Sequence, residues 1–178
     1  MVTSPLDVAA DGYVRSEACL ASFVQRNDRK ERSTSPLIVG TAINQDGRSA
    51  TLAAPSGQAQ QMLLKNAICI ANISGNEMNV VKLHGTGTSL GDPIELSAVI
   101  AVYHATACRS IPIIASTPKS CVGHTEPASG ALGVASALNL LWTLSGMPSL
   151  HLRTINTFLG RTMMSDSIGS FRQSACVV

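Results

Sequence analysis

Two loops of the sequence contain the residues best suited to chemistry, and each lies between a predicted strand and a predicted helix. His84 lies at the carboxyl end of the first strand, in VVKLHGTGTSLGDPIE, and His124 lies in STPKSCVGHTEPASG, five residues after Lys119. Ligands of open α/β sheets bind at the carboxyl ends of the strands, so we expect the two imidazoles to converge on one site. A neutral imidazole can donate a hydrogen bond to a developing oxyanion or transfer a proton, and Lys119 adds positive charge nearby.

The turn after His84 is rich in glycine and threonine. Glycine lets a backbone approach a ligand closely, and the hydroxyl groups of Thr86 and Thr88 offer further hydrogen bonds. A plainer interpretation is a tight turn with a structural histidine, accompanied in the second loop by a surface lysine and a capping histidine. Short motifs often mislead, so spacing alone leaves both interpretations open.

Other kinds of site fit these loops less well. Cys121, His124 and His84 could bind a metal ion, but they lack the second close ligand pair of a typical site. The spacing Gly-x-Gly-x-x-x-Gly misses the dinucleotide fingerprint by one residue, and no acidic residue between Glu95 and Glu126 could bind a ribose. A nucleotide P-loop is excluded because no Gly-Lys-Ser/Thr is present.

Alternating strands and helices are predicted to position these loops, which argues for a layered α/β unit. Asp92 is expected to be the N-cap of the middle helix, with Pro93 at its first position. The last helix is apolar nearly all round and should be central. The predicted strands are Tyr13–Val24 (or a strand pair there), Leu37–Ile43, Met78–Leu83 and Ile111–Ser116; the predicted helices are Ser56–Ala71, Asp92–His104 and Ala128–Leu144.

The composition narrows the class of protein further. The 178 residues carry a formal net charge of +2, too little for a nucleic-acid-binding surface. Charged residues make up 13%, against roughly 25% in a typical soluble chain. This scarcity favours a chain that packs against more protein. Five cysteines without regular spacing argue against a disulfide framework, and no signal peptide or confident membrane span is visible.

Four motifs, in this order, resemble the β-ketoacyl synthase (ketosynthase) domain of modular polyketide synthases and related fatty-acid synthases. They are DGYVRSE at Asp11–Glu17, GTAINQDGRSATLAAPSGQAQ at Gly40–Gln60, and the two histidine motifs HGTGTSLGDPIE and KSCVGHTEPASG. The stretch SLHLRTIN, from Ser149, looks like the one that follows them in the family. The resemblance runs from about Asp7 to Asn156.

The resemblance implies the C-terminal half of a thiolase-like α/β/α/β/α fold, with a mixed sheet. Residues 1–34 would be the tail of the N-terminal ketosynthase half and a linker. Residues 35–156 would be the C-terminal half, and residues 157–178 a diverged or irregular end.

The implied reaction is a decarboxylative Claisen condensation between an acyl thioester and a malonyl-type unit. By resemblance, His84 and His124 stabilise the enolate, Lys119 supports them, and Thr86 and Thr88 contact the phosphopantetheine arm. Asp92 and Glu95 would fix the loop and the helix start rather than touch substrate. No cofactor is expected, because the substrates are carried on the phosphopantetheine of acyl carrier protein.

The family's nucleophilic cysteine precedes the DGYVR segment, and no cysteine precedes it here. We therefore expect the nucleophile to lie outside this chain, and the chain alone to be inactive. Cys108, in the tripeptide Thr-Ala-Cys, stands in the wrong place and is interpreted as a decoy. Expected partners are acyl carrier protein and the N-terminal half, with a homodimer when complete, in the cytoplasm. The alternative is a non-catalytic remnant or partner-binding module that retains the fold.

Overall fold

A strand–helix–strand unit is the centre of the structure, a computed structural model that describes residues 3–28, 35–47, 54–103 and 113–157. The described strands are β1 (Val80–Lys82) and β2 (Ile114–Ser116). The described α-helices are α1 (Gly57–Ala71), α2 (Gly91–Tyr103), α3 (Lys119–Val122) and α4 (Ser129–Thr143). Short 3₁₀ turns occur at Gly75–Glu77 and Glu126–Ala128.

The two strands are parallel and are connected through α2. Val80 pairs with Ile114 and Lys82 with Ser116, and the N–H of Leu83 extends the ladder to the Ser116 carbonyl at 2.8 Å. Parallel neighbours joined by a crossover end at the same edge of the sheet. The loops that carry the two histidine motifs therefore leave the sheet side by side.

Helix α1 confirms the helix predicted from Ser56. The Ser56 hydroxyl accepts a hydrogen bond from the N–H of Ala59 at 3.2 Å, which satisfies one of the free donors at the helix start. Asn72 ends the helix in the left-handed conformation that C-terminal caps favour. Leu64 and Ile68 pack from α1 onto the core that α2 forms.

The core is built mainly by α2, whose Leu96 retains only 2% of its side-chain exposure. The helix contributes apolar side chains on several of its faces, and Leu83 and Ala115 join them from the sheet side. The other buried apolar members of this core are Leu6, Val99, Ile100, Val102, Tyr103 and Leu152. Leu6 and Leu152 lie far apart in sequence, so the core ties both ends of the described chain to α2.

Asp92 is not the N-cap that the sequence predicted, because α2 begins one residue earlier, at Gly91. The hydroxyl of Thr88 accepts from the Gly91 N–H at 3.2 Å and so takes a capping role. The buried Asp92 carboxylate instead accepts from the N–H groups of Leu6, at 2.9 Å, and Gly87, at 3.1 Å. Asp92 thus joins the N-terminal segment to the His84 turn.

Replacing Asp92 with alanine should lower the free energy of unfolding by about 3 kcal/mol, because buried backbone N–H groups would lose their charged acceptor. Chemical denaturation of the full chain measures the change. Asp46→Ala removes an exposed acid and should stay within about 0.5 kcal/mol of the unchanged chain. Equal stability of the two variants would contradict the bridging role of Asp92.

The prediction of a strand or strand pair at Tyr13–Val24 is wrong. The segment is irregular apart from a single parallel bridge between Arg15 and His124. Further upstream, the Asp7 carboxylate accepts from the N–H groups of Arg153, at 2.7 Å, and Thr154, at 3.0 Å. Contacts to distant loops, rather than pairing with a neighbouring strand, therefore hold this part of the chain.

The predicted buried strand Leu37–Ile43 is also wrong: the segment pairs with no described strand, and Ile43 is 96% exposed. Its backbone lies against α1, where a Cβ on Gly40 would come within 2.7 Å of the Ala67 carbonyl oxygen. An apolar run indicates burial without identifying the surface that buries it. Among the described residues that surface is absent, and the side chains face outwards.

Helix α4 has close to its predicted extent, and its place in the middle layer of the complete fold stays a prediction. Ser136 is its one buried residue, and Trp142 is 67% exposed.

The two described strands form a parallel sheet rather than the expected mixed one. No helix within the described ranges is both long enough and apolar enough to cross a membrane. Cys108 and residues 158–178 lie outside the described residues.

Candidate active site

The main chain at His84 is held by two oppositely charged side chains. The N–H groups of His84 and Gly85 donate to the two Glu95 carboxylate oxygens, at 2.5 and 2.9 Å. The His84 carbonyl accepts from the Lys119 ammonium group at 2.5 Å. Glu95 belongs to α2 and Lys119 to α3, so the helix after each strand contributes one of the two side chains.

The turn after His84 needs glycine at two positions. Gly85 has φ 48°, and a Cβ there would lie 2.9 Å from the Thr117 side chain. Gly87 has φ 77°, and a Cβ there would lie 2.7 Å from the Gly12 carbonyl oxygen. Left-handed backbone and close contact together exclude other residues without a shift of the loop.

His124 is buried and is held by the N-terminal segment. Its N–H donates to the Val14 carbonyl at 2.8 Å, and its carbonyl accepts from the Ser16 N–H at 3.0 Å. The Tyr13 ring meets the imidazole edge-on, with centroids 4.6 Å apart and an interplanar angle of 74°. Three contacts from the DGYVRSE segment therefore hold this histidine in position.

The structure brings His84, His124 and Lys119 together. The two imidazole rings lie 5.3 Å apart between centroids, nearly perpendicular at 85°. The Lys119 ammonium group is 3.5 Å from Nδ1 of His84, and the residue is only 3% exposed. The site thus combines two imidazoles with a buried cation, while the catalytic roles of these residues stay predictions.

The hydrogen bonds of both rings define which nitrogen carries the proton. The N–H of Glu126 donates to Nδ1 of His124 at 3.2 Å, and the Lys119 ammonium group faces Nδ1 of His84. A backbone N–H and an ammonium group can only donate, so both Nδ1 atoms are acceptors. These contacts favour the tautomer of each neutral ring that carries its proton on Nε2, where it can be donated to a ligand.

The surroundings also favour the neutral form of both rings. His84 is exposed as a residue, but partial burial of its ring lowers its pKa to about 4, with further contributions from the Lys119 ammonium group and from His124. Burial and Lys119 also lower the pKa of His124, against a weaker opposing effect of Glu126. Burial lowers the pKa of Lys119 as well, while the nearby carboxylates of Glu95 and Asp92 oppose that change. At neutral pH the site presents two uncharged N–H donors.

Replacing Lys119 with methionine should raise the pKa of His84 above about 4, because one source of positive charge is removed. The pKa should stay below 6.5, since burial, the larger cause, remains. A proton NMR titration of the His84 ring measures it. Lys65→Met removes an exposed lysine of α1 and should leave the midpoint in place. An unchanged midpoint in Lys119→Met would contradict the electrostatic contribution of Lys119.

The same low pKa of His84 makes the stability of the fold pH-dependent. Between about 4 and 6.5 the unfolded chain binds a proton at His84 that the folded chain does not. The contribution of His84 to stability is therefore complete above pH 6.5 and is lost as the pH falls towards 4.

Thr86 and Thr88 belong to the turn that follows His84. Thr86 is buried, and its hydroxyl oxygen is 3.5 Å from that of Thr88. The Thr88 hydroxyl also accepts from Gly91, as described above. Their contact with a phosphopantetheine arm stays a prediction, and the structure gives both residues a local role in shaping the turn.

Sequence reasoning missed two neighbours of His124. The sequence pattern predicts a strand at Tyr13 and indicates no role for Glu126. Glu126 holds the His124 ring through its N–H, and its carboxylate pairs with Arg15 at 3.2 Å. The position of Glu126 two residues after the histidine was the available signal, because side chains commonly bond to backbone groups two residues away.

The described residues contain no group of three His, Cys, Asp or Glu side chains that could hold a metal ion. Cys121, one ligand of the metal site considered from the sequence, instead directs its thiol to the Pro148 carbonyl at 3.5 Å. Its other sulfur contact is the Ser120 hydroxyl, at 3.8 Å.

The geometry is that of an α/β protein with a ligand site at the carboxyl ends of two parallel strands, and comparison with known proteins identifies its family. A family model described as the C-terminal domain of β-ketoacyl synthase matches residues 36–153. The chain belongs to this family and carries its C-terminal domain. The DGYVRSE segment lies before the matched region, although it contacts His124 directly.

Curated relatives are polyketide synthases. The chain is 41% identical over 129 residues to the polyketide synthase GfsB of Streptomyces halstedii, covering 71% of this chain and 2% of that protein. It is 39% identical over 137 residues to the erythronolide synthase EryA3 of Saccharopolyspora erythraea, covering 75% of this chain and 4% of that protein. The chain thus spans a small part of these relatives.

Solved ketosynthases share the fold, which is the thiolase-like α/β fold expected from the sequence. The ketosynthase from module 6 of the bacillaene synthase of Bacillus subtilis 168 matches with a TM-score of 0.64 and 34% identity, over 68% of this chain and 22% of that one. The oxazolomycin ketosynthase domain of Streptomyces albus JA3453 matches with a TM-score of 0.68 and 27% identity, over 74% and 22%. Each comparison covers about a fifth of a ketosynthase.

Proposed function

We propose that this chain supplies the decarboxylating part of a β-ketoacyl synthase that extends an acyl chain with malonyl-type units. The extender is held as a thioester on the phosphopantetheine of acyl carrier protein. Loss of carbon dioxide leaves the electron pair of the broken C–C bond in an enolate. The enolate carbon attacks the acyl thioester on a cysteine, a C–C bond forms, and the cysteine thiolate leaves.

The observation that carries this proposal is the pair of neutral imidazoles, each with Nδ1 occupied by a donor. Their Nε2–H groups are free to donate to the malonyl thioester oxygen, where negative charge develops as the enolate forms. Fixed donors aimed at a developing oxyanion give one of the largest contributions to enzyme catalysis. The buried Lys119 ammonium group adds positive charge to the same site without protonating either ring.

The acyl-accepting cysteine is proposed to come from the N-terminal half of the ketosynthase, in a complete enzyme that is a homodimer. Two surfaces support a missing half: the outward-facing segment Leu37–Ile43 and the apolar side of α4. A chain with 13% charged residues has few groups to solvate such surfaces.

The proposal is tested by combining this chain with an N-terminal ketosynthase half that bears the cysteine. Carbon dioxide release from malonyl-loaded acyl carrier protein is then measured, together with acyl transfer to the cysteine. We expect release by the combined halves and by neither half alone. A stable complex that leaves malonyl-loaded carrier intact would instead favour the alternative, a non-catalytic module that only binds its partner.

A further inference from the structure

Glu126 has an unusual backbone conformation at a position that matters for His124. Its φ is 47°, in the left-handed region that residues other than glycine, asparagine and aspartate rarely adopt. The following residue is Pro127, which disfavours helical backbone at the position before it. Contacts on both sides of the residue support this conformation: its carbonyl accepts from the Ser129 N–H, and its own N–H is directed at Nδ1 of His124.

The Glu126 carboxylate adds two further contacts, both at the exposed surface. One oxygen pairs with the Arg15 guanidinium group at 3.2 Å and accepts from the Tyr13 hydroxyl at 3.5 Å. Tyr13 is the residue whose ring packs edge-on against His124. A single residue therefore reaches the imidazole in two ways: directly through its N–H, and indirectly through the tyrosine that its carboxylate holds.

We propose that Glu126 is a positioning residue for His124, which keeps the ring in its Nε2–H form and holds Tyr13 against its edge. The inference concerns the ground-state arrangement of the ring and rests on the proposed function only for its effect on catalysis. Glutamine at this position would keep an oxygen for Arg15 and Tyr13, whereas alanine would keep neither contact.

The test is ¹⁵N NMR of the histidine rings in the full 178-residue chain, with the His124 signals assigned from a His124→Gln sample. In the unchanged chain and in Glu126→Gln, we expect Nδ1 to show the shift of an unprotonated nitrogen and Nε2 that of an N–H. In Glu126→Ala, the two shifts should move towards each other as both proton positions become populated, and the nuclear Overhauser contact between the Tyr13 and His124 rings should weaken.

Glu17→Ala removes an exposed acid from the same N-terminal segment and serves as the matched control, with shifts expected to match the unchanged chain. If Glu126→Ala does not fold, Arg15→Ala removes one carboxylate contact without altering the left-handed residue, and should give a smaller change in the same direction. Unchanged His124 shifts and an unchanged ring contact in the variant that folds would overturn the proposal.

Activity provides a second readout, which separates this inference from the proposed function. With the complementary half present, Glu126→Ala should lower kcat for carbon dioxide release about tenfold with little change in KM. The reason is that a misplaced hydrogen-bond donor stabilises the transition state less. Glu126→Gln should recover most of the rate. If the unchanged pair releases no carbon dioxide, the proposed function fails, and the ¹⁵N shifts still decide the role of Glu126.

Discussion

Replacing His124 with alanine should lower the rate of malonyl decarboxylation by about 10²–10³-fold when the chain is combined with its N-terminal half, the range found for the loss of one oxyanion donor. The effect should fall on kcat rather than on KM, because the hydrogen bond strengthens as charge develops on the thioester oxygen. His124→Gln keeps an N–H donor at the end of the side chain and should lose less. Single-turnover measurement of carbon dioxide release gives both values.

The two imidazoles should behave as one unit in this experiment. Residues that stabilise the same charge are strongly non-additive, so a variant lacking both His84 and His124 should be little slower than the slower single variant. His151→Ala, which alters an exposed histidine outside the site, is the control. Full activity of His124→Ala would show that the ring contributes packing alone.

The sequence predicted the part of the fold in which pattern and local chemistry agree. Ser56 precedes a helical pattern, and α1 begins directly after it. The strands β1 and β2 lie within their predicted ranges, with α2 between them, because short apolar runs and an intervening helix favour a parallel pair. The juxtaposition of the two histidine loops follows from that topology, since both leave the same edge of the sheet.

Predictions from the sequence were wrong where an apolar pattern indicates that a segment is buried but does not identify the surface that buries it. The run Leu37–Ile43 has the composition of a central strand, but a strand needs a neighbour, and the described residues provide none. Helix α4 shows the same ambiguity, because it is apolar nearly all round and yet exposes Trp142.

Long-range hydrogen bonds were a second source of error. Asp92 has the residue type and position of an N-cap, yet its carboxylate accepts from the backbone of Leu6, 86 residues away. The local pattern predicts a strand at Tyr13. The sequence does not reveal that the Tyr13 ring packs against His124. Such contacts depend on how distant segments meet, and no local propensity encodes them.

The second large effect is expected at the two charged side chains that hold the His84 peptide. In Glu95→Gln, one side-chain oxygen remains to accept from the two N–H groups of His84 and Gly85. In Lys119→Met, the His84 carbonyl loses its ammonium donor. Each change leaves the other charge less compensated in a partly buried site. Each should therefore lower the free energy of unfolding by about 3 kcal/mol, measured by chemical denaturation.

The variant that carries both changes distinguishes a coupled pair from two separate contacts. Glu95 and Lys119 act on the same peptide, and each partly offsets the cost of burying the other's charge. The double variant should therefore be more stable than the sum of the single losses predicts, by about 1–2 kcal/mol. Strict additivity would mean that the two side chains stabilise the fold independently.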